Sequence, residues 1–164
     1  MAAQLVGIAA TVFSILSFQC STRKKILIMQ LITTILFCVH YLMLGAFTGA
    51  TLNAVSIVRN IIFYNNDKKF FSGKKWIVIF VLINIGAGAL TWQSWSSLLF
   101  IIGMVLNTIS LSLTASQQVR WVMLMSSPFV LVYSFLTGSI GGVVNELCSE
   151  VSMITALVRY RKEN

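Results

Sequence analysis

Two stretches of the chain, FCVHYLMLGAFTGATLN at 37–53 and FVLVYSFLTGSIGGVVN at 129–145, resemble each other and indicate an internal repeat. A shift of 92 residues aligns them with five identities in 17 positions. In sequences so rich in apolar residues, chance alone gives roughly one or two identities over this length. The identical pairs are Phe37 and Phe129, Tyr41 and Tyr133, Leu44 and Leu136, Gly49 and Gly141, and Asn53 and Asn145. The chain is therefore predicted to contain two similar structural units.

The composition around this repeat is that of a membrane protein. Of the 164 residues, 57% are hydrophobic and only 10% are charged, and the mean hydropathy is +0.88. A soluble domain carries about 25% charged residues, so this chain has too few polar residues to cover its surface in water. A single histidine and so few acidic residues also exclude most hydrolytic and metal chemistry. We predict no catalytic residues, no metal site and no cofactor.

Apolar runs long enough to cross a bilayer, about 17 to 25 residues, occur seven times. They are 3–19, 26–44, 48–65, 76–92, 96–114, 119–136 and 140–158. The 92-residue shift relates spans one to three to spans five to seven and leaves span four over. Because a unit of three spans ends on the side opposite its start, one extra crossing must return the chain before a parallel second unit begins.

The predicted architecture is therefore an all-α membrane protein with seven transmembrane helices in 3+1+3 parallel repeats. One transmembrane domain covers 1–164, with repeat one at 3–65, a linker helix at 76–92 and repeat two at 96–158.

The basic residues predict how this bundle is oriented. They lie in or directly beside the first, third and fifth connections and at the C-terminus, and Arg59 is the exception well inside a span. By the positive-inside rule we expect the N-terminus outside and the C-terminus in the cytoplasm. The net charge of +8 is then explained by the orientation of the protein in the membrane. We expect the lipid bilayer to be its partner, and we expect no binding to nucleic acid. The basic positions are Arg23, Lys24, Lys25, Arg59, Lys68, Lys69, Lys74, Lys75, Arg120, Arg159, Arg161 and Lys162.

With this layout, and with Asn53 and Asn145 at matching depth in the third helix of each repeat, the chain resembles the SWEET and PQ-loop transporters. Within that superfamily it looks most like the YgjV-type bacterial inner-membrane proteins, and vitamin-precursor transporters of the PnuC type share the layout. The resemblance implies a multi-pass protein of the inner membrane whose two asparagines line a central pocket and bind a solute. No Pro-Gln pair closes span one or five; Phe18-Gln19 and Ser110-Leu111 stand there instead.

Charged side chains inside the spans are further candidates for function, because a charge at the centre of a span costs about 2.5 to 3.5 kcal/mol on insertion scales. Glu146 and Glu150 are four residues apart and share one face of span seven. We predict that Arg59 faces one of them across the two repeats. Three interpretations remain open: a fixed ion pair, a glutamate that couples solute movement to a proton, and an Arg59 side chain that reaches the membrane interface.

Polar groups near the outer ends of spans two and six complete the candidate site. Tyr41 and Tyr133 are matched by the repeat, and His40 precedes Tyr41. We include His40 as a candidate for the outer part of the pathway, although an isolated histidine in an apolar helix more often serves packing. For Asn53 and Asn145 the alternative to a solute pocket is hydrogen bonding between helices, worth about 0.6 kcal/mol per bond.

The function that these features favour is a small-solute transporter or facilitator with a central site between the repeats, working by alternating access. With two asparagines and few charges, we expect a polar, largely neutral ligand such as a sugar or a vitamin precursor. The alternative is a membrane receptor or assembly protein that uses the same bundle without moving a solute. Whether the protein forms homo-oligomers is left open by the sequence.

Overall fold

In the part of the chain that the structure describes, the fold is a bundle of seven α-helices, the number predicted. The computed structural model describes residues 2–68 and 73–160, and within those ranges it contains no β-strand. The helices are α1 (Ala2–Phe18), α2 (Arg23–Met43), α3 (Phe47–Tyr64), α4 (Lys75–Leu90), α5 (Ser96–Ser112), α6 (Ser116–Leu136) and α7 (Ile140–Arg159). Every predicted span coincides with one helix. The largest shift, at the start of α2 and α6, arises because polar and basic residues form the first helical turn there.

The outer surface of the bundle is suited to lipid. Helices α2, α6 and α7 are long and apolar enough to cross a membrane, and α1, α4 and α5 are apolar but shorter. Large apolar side chains such as Leu90, Phe135 and Val158 are exposed, whereas many polar side chains are buried among the helices. Because lipid offers polar groups no partners, they are expected to face inward in a membrane.

Six helices pack in a closed ring in the order α1, α2, α3, α5, α6, α7, and α4 packs against α3 and α5. We use first half for α1–α3 and second half for α5–α7 as labels that follow the order of the chain. In the first half, α1 packs on α2 and α2 on α3; in the second half, α5 packs on α6 and α6 on α7. The halves meet where α1 packs on α7 and where α3 packs on α5, while α4 contacts α3 and α5. We call the end of the bundle that carries the α2–α3, α4–α5 and α6–α7 connections the turn end, and the opposite end the basic end.

Glycines permit the tight geometry at the turn end. Gly45 and Gly138 have φ angles of 69° and 67° in the α2–α3 and α6–α7 turns, a region that side chains with a Cβ rarely adopt. Helices α1 and α7 approach so closely that a Cβ on Gly141 would lie 2.7 Å from the Cα of Gly7. The two halves are therefore in backbone contact at this end.

Arginines join the two halves at the basic end. Arg23 at the start of α2 donates a 2.9 Å hydrogen bond to the carbonyl oxygen of Leu111 at the end of α5. Arg120 at the start of α6 donates to the carbonyl oxygens of Phe18 (3.2 Å), the last residue of α1, and of Cys20 (2.8 Å), which lies just after it. The carbonyl groups at the end of a helix have no partners within that helix. Here an arginine of each half donates hydrogen bonds to such carbonyl groups in the other half.

Candidate functional site

A polar cavity lies between the two halves. It measures about 80 Å³, which is room for several water molecules. Six helices contribute to its walls, all except α4. Its polar lining comprises Gln30, Thr33, Thr34, Tyr41, Asn53, Arg59, Asn107, Ser126, Asn145, Glu146 and Ser149. So many polar groups around an open space at membrane depth are typical of a site for a polar ligand.

Asn53 and Asn145 both line this cavity. They are buried, with 7% and 6% of their surface exposed. Asn53 donates through Nδ2 to the carbonyl oxygen of Gly49 at 2.8 Å, and Asn145 donates through Nδ2 to Glu146 Oε1 at 2.9 Å. The buried Oδ1 atom of Asn145 has no hydrogen-bond partner among the described residues, so it can accept a hydrogen bond from a molecule in the cavity. That either asparagine binds a solute remains a prediction.

The two repeat-related tyrosines contact each other behind the cavity. Their ring centroids are 5.8 Å apart, and of the two only Tyr41 is part of the cavity wall. The Tyr41 hydroxyl lies 2.9 Å from Ser134 Oγ. The Tyr133 hydroxyl accepts a 2.9 Å hydrogen bond from the backbone N–H of Gly49, in the first turn of α3. Tyr133 therefore satisfies a backbone donor that the start of a helix leaves open.

His40 hydrogen-bonds to one backbone group and to one side chain of other residues, and it is not part of the cavity wall. Its Nδ1 donates to the carbonyl oxygen of Ala3 at 2.7 Å, and its Nε2 lies 2.6 Å from Ser139 Oγ. The side chain is fully buried. Both ring nitrogens have partners, which is the geometry of a histidine that packs helices together at the turn end.

Arg59 forms no salt bridge with Glu146 or Glu150, although the sequence led us to expect that it faces one of them. Its guanidinium hydrogen-bonds Asn60, Asn107 and Thr108 instead. The reason is the order of the helices around the bundle. Helix α3 packs on α5, so the Arg59 side chain extends toward α5 rather than α7. Only 1% of the surface of Arg59 is exposed, so its side chain is enclosed by the surrounding helices.

The two glutamates of α7 occupy different surroundings. Glu146 lines the cavity and accepts hydrogen bonds from Ser127 Oγ at 2.5 Å and from Asn145. Glu150 is partly exposed and is not part of the cavity wall. Counting from the turn end, Glu146 lies six residues nearer that end than Arg59 does, which is about 9 Å along a helix.

Several site residues were missed by the reasoning from sequence. Asn107 and Thr108 hold Arg59, Ser127 holds Glu146, and Gln30 lines the cavity. The adjacent polar pair at 107–108 in an otherwise apolar span is the signal that could have found the first two. For Ser127 no comparable signal exists, because serine is common in membrane helices as a packing residue.

This fold and this cavity define a class of protein: a multi-helix membrane protein with a polar chamber between two three-helix halves. The chain belongs to the Imp-YgjV family, described as bacterial inner membrane protein, whose family model matches residues 1–164. The protein is therefore a bacterial inner membrane protein. Neither the curated proteins nor the solved structures contain a match to the chain.

Proposed function

We propose that the protein moves a small polar solute across the inner membrane through the cavity between its two halves. The observation that carries this proposal is the cavity itself. Asn53, Arg59, Asn145 and Glu146 converge on one polar space inside an apolar bundle, and buried polar groups in a membrane protein are costly unless they serve a pathway or a partner.

A 3+1+3 arrangement of parallel repeats, as in SWEET-like proteins, is part of this proposal. The order of helix packing supports it. If α1–α3 correspond to α5–α7, the contact of α1 with α7 becomes the contact of α5 with α3, and both contacts are present. The arginine bonds at the basic end exchange in the same way, because Arg23 reaches the end of α5 and Arg120 reaches the end of α1.

Alternating access then means rocking one half against the other. Hydrogen bonds between the halves lie on both sides of the cavity. At the turn end they include Tyr41 with Ser134 and His40 with Ser139; at the basic end they include those of Arg23 and Arg120. Opening toward one side breaks one group of bonds while the other group holds.

The proposed orientation has the N-terminus outside and the basic end in the cytoplasm, in agreement with the positive-inside rule. The residues in the cavity wall are assigned no catalytic role. If transport is coupled to protons, Glu146 is the group we propose for it, because it lines the cavity and Glu150 does not.

The first test is a thermal-stability screen of the purified protein against sugars, nucleosides, vitamins, amino acids and small organic acids. A ligand that binds the folded state raises the apparent unfolding temperature. We expect at least one class to do so, and we expect replacing Asn145 with leucine to reduce the shift. The matched control is Leu147→Ala, since Leu147 is exposed on the outer surface of the same helix. If no class raises the unfolding temperature, the proposal of a solute site is wrong.

A receptor or assembly protein would also bind a ligand, so uptake separates the two functions. Proteoliposomes that accumulate the ligand identified by the screen support transport. Binding without accumulation would favour the receptor.

A further inference from the structure

Arg59 is a buried cation whose partners in the described structure are all neutral. Its Nε and Nη2 donate to Asn60 Oδ1 at 3.2 and 3.0 Å, Nη2 also donates to Asn107 Oδ1 at 3.3 Å, and Nη1 donates to Thr108 Oγ1 at 2.8 Å. Buried charges in proteins are normally paired with an opposite charge. Inside a membrane such a residue marks a candidate substrate pathway.

The nearby carboxylates do not supply that opposite charge. No salt bridge joins Arg59 to Glu146 or Glu150, and Glu146 is held by Ser127 and Asn145. The remaining carboxylate among the described residues, Asp67, pairs with Lys24 at the surface. Arg59 therefore forms a salt bridge with no carboxylate among the described residues.

Arg59 is also part of the cavity wall. Arginine has five N–H donors, and the four hydrogen bonds leave one donor on Nη1. Of the described residues in the cavity wall, Arg59 is the only one that carries a positive charge. The remaining donor and the positive charge favour a carboxylate, because a hydrogen bond between charged groups is roughly twice as strong as one between neutral groups.

We infer that the cavity binds a solute with a single carboxylate group, and that this carboxylate sits on Arg59. The inference rests on the proposed transport function and names its substrate class. One guanidinium balances one negative charge, and the acidic Glu146 in the same wall disfavours a second, so phosphate esters and dicarboxylates fit less well. It also revises the largely neutral ligand that we expected from the two asparagines and the few charges in the sequence.

The test compares small monocarboxylic acids with their own amides, which match them in shape and lack the charge. Acetate, lactate, glycine and nicotinate are each paired with the corresponding amide, and inorganic phosphate serves as the multiply charged probe. Binding to the purified full-length protein in detergent is measured by calorimetry and by thermal unfolding. We expect at least one acid to bind at least tenfold more tightly than its amide and than phosphate. The inference is overturned if no acid binds, or if an amide or phosphate binds as tightly as the acids do.

Variants assign the preference to Arg59. Arg59→Gln is expected to bring an acid and its amide to within about twofold of each other. Arg159→Gln, at an exposed position on α7, is expected to keep the tenfold preference. Should Arg59→Gln not fold, the comparison of acid with amide on the unaltered protein still decides whether the protein prefers a carboxylate. A preference that survives in folded Arg59→Gln would contradict the inference.

Failure of the inference and failure of the transport function give different results. Uptake of an amide or a sugar into proteoliposomes, without preference for acids, would overturn carboxylate binding and leave transport in place. Tight binding of an acid without any uptake would contradict transport and leave the carboxylate site in place.

Discussion

Arg59 on α3 donates a 2.8 Å hydrogen bond to the hydroxyl of Thr108 on α5, and thereby joins the two halves of the bundle inside the membrane. Thr108 also accepts a hydrogen bond from Asn84 on α4 at 3.2 Å and donates to the carbonyl oxygen of Met104 at 2.8 Å. One fully buried hydroxyl thus connects α3, α4 and α5 beside the cavity.

Replacing Thr108 with valine tests this connection. The change keeps the shape of the side chain and removes the hydroxyl, so donors on Arg59 and Asn84 lose their acceptor. Leaving buried polar groups without partners costs about 1–3 kcal/mol, and we expect a loss of that size in the free energy of unfolding. Thr108→Ser retains the hydroxyl and is expected to lose less than half as much. Equal losses in the two variants, measured by thermal unfolding in detergent, would show that the hydroxyl is unimportant.

The contact of α1 with α7 predicts that Gly141 tolerates no side chain. A Cβ there would meet the backbone of Gly7, which cannot move aside as a flexible side chain can. Overpacking of this kind costs about 1–3 kcal/mol, so Gly141→Ala should unfold at a lower temperature than the unaltered protein. Gly86→Ala is the control, because a Cβ on Gly86 in α4 meets nothing within 4 Å. We expect no loss of stability there, and a loss equal to that of Gly141→Ala would contradict the packing.

The hydroxyl of Tyr133 is predicted to stabilise the start of α3. Tyr133→Phe removes the acceptor of the Gly49 N–H while keeping the ring, whose centroid is 4.3 Å from that of Phe100. Hydrogen bonds between membrane helices are worth about 0.6 kcal/mol on average and up to about 1.7. We expect a loss in that range, read from unfolding temperature and from faster amide exchange at Gly49. Tyr64→Phe, at an exposed tyrosine, should change neither; an unchanged exchange rate at Gly49 in Tyr133→Phe would be the contrary result.

The proposed orientation predicts which end of the bundle is accessible from outside. In a variant without the native cysteines Cys20, Cys38 and Cys148, a single cysteine is placed at exposed Ser94 on the turn end or at exposed Gln118 on the basic end. An impermeant maleimide added to right-side-out membrane vesicles should label Ser94→Cys and leave Gln118→Cys unlabelled until the vesicles are opened. The reverse pattern would mean that the topology is inverted.

The sequence predicted the number and position of the helices because apolar runs of bilayer length encode them directly. The repeat also paired the depths of Asn53 and Asn145, and both reach the same cavity. The lateral order of the helices was not predictable in the same way, because hydropathy records depth in the membrane and carries no information on which helices are neighbours.

Arg59 shows the consequence of that limit. Its position inside a span suggested a glutamate of α7 as a partner, whereas the packing of α3 on α5 directs it to Asn107 and Thr108. His40 shows a second limit. Its partners are a backbone oxygen of Ala3 and the hydroxyl of Ser139, and neither group leaves a recognisable mark in the sequence.

The central claim is that a solute crosses the membrane through the cavity. Its most direct test is solute uptake into proteoliposomes by the unaltered protein and by a variant in which a large side chain fills the cavity. Ser126 lines the cavity from α6, and its neighbour Met125 is exposed on the outer surface of the same helix. With a panel of labelled small organic acids, amino acids, vitamins, nucleosides and sugars, we expect the unaltered protein to take up at least one solute faster than empty liposomes do. Ser126→Trp should abolish this uptake and Met125→Trp should retain it, provided both variants unfold at temperatures close to that of the unaltered protein. Uptake that persists unchanged in folded Ser126→Trp, or no uptake of any solute by the unaltered protein, would contradict transport through the cavity.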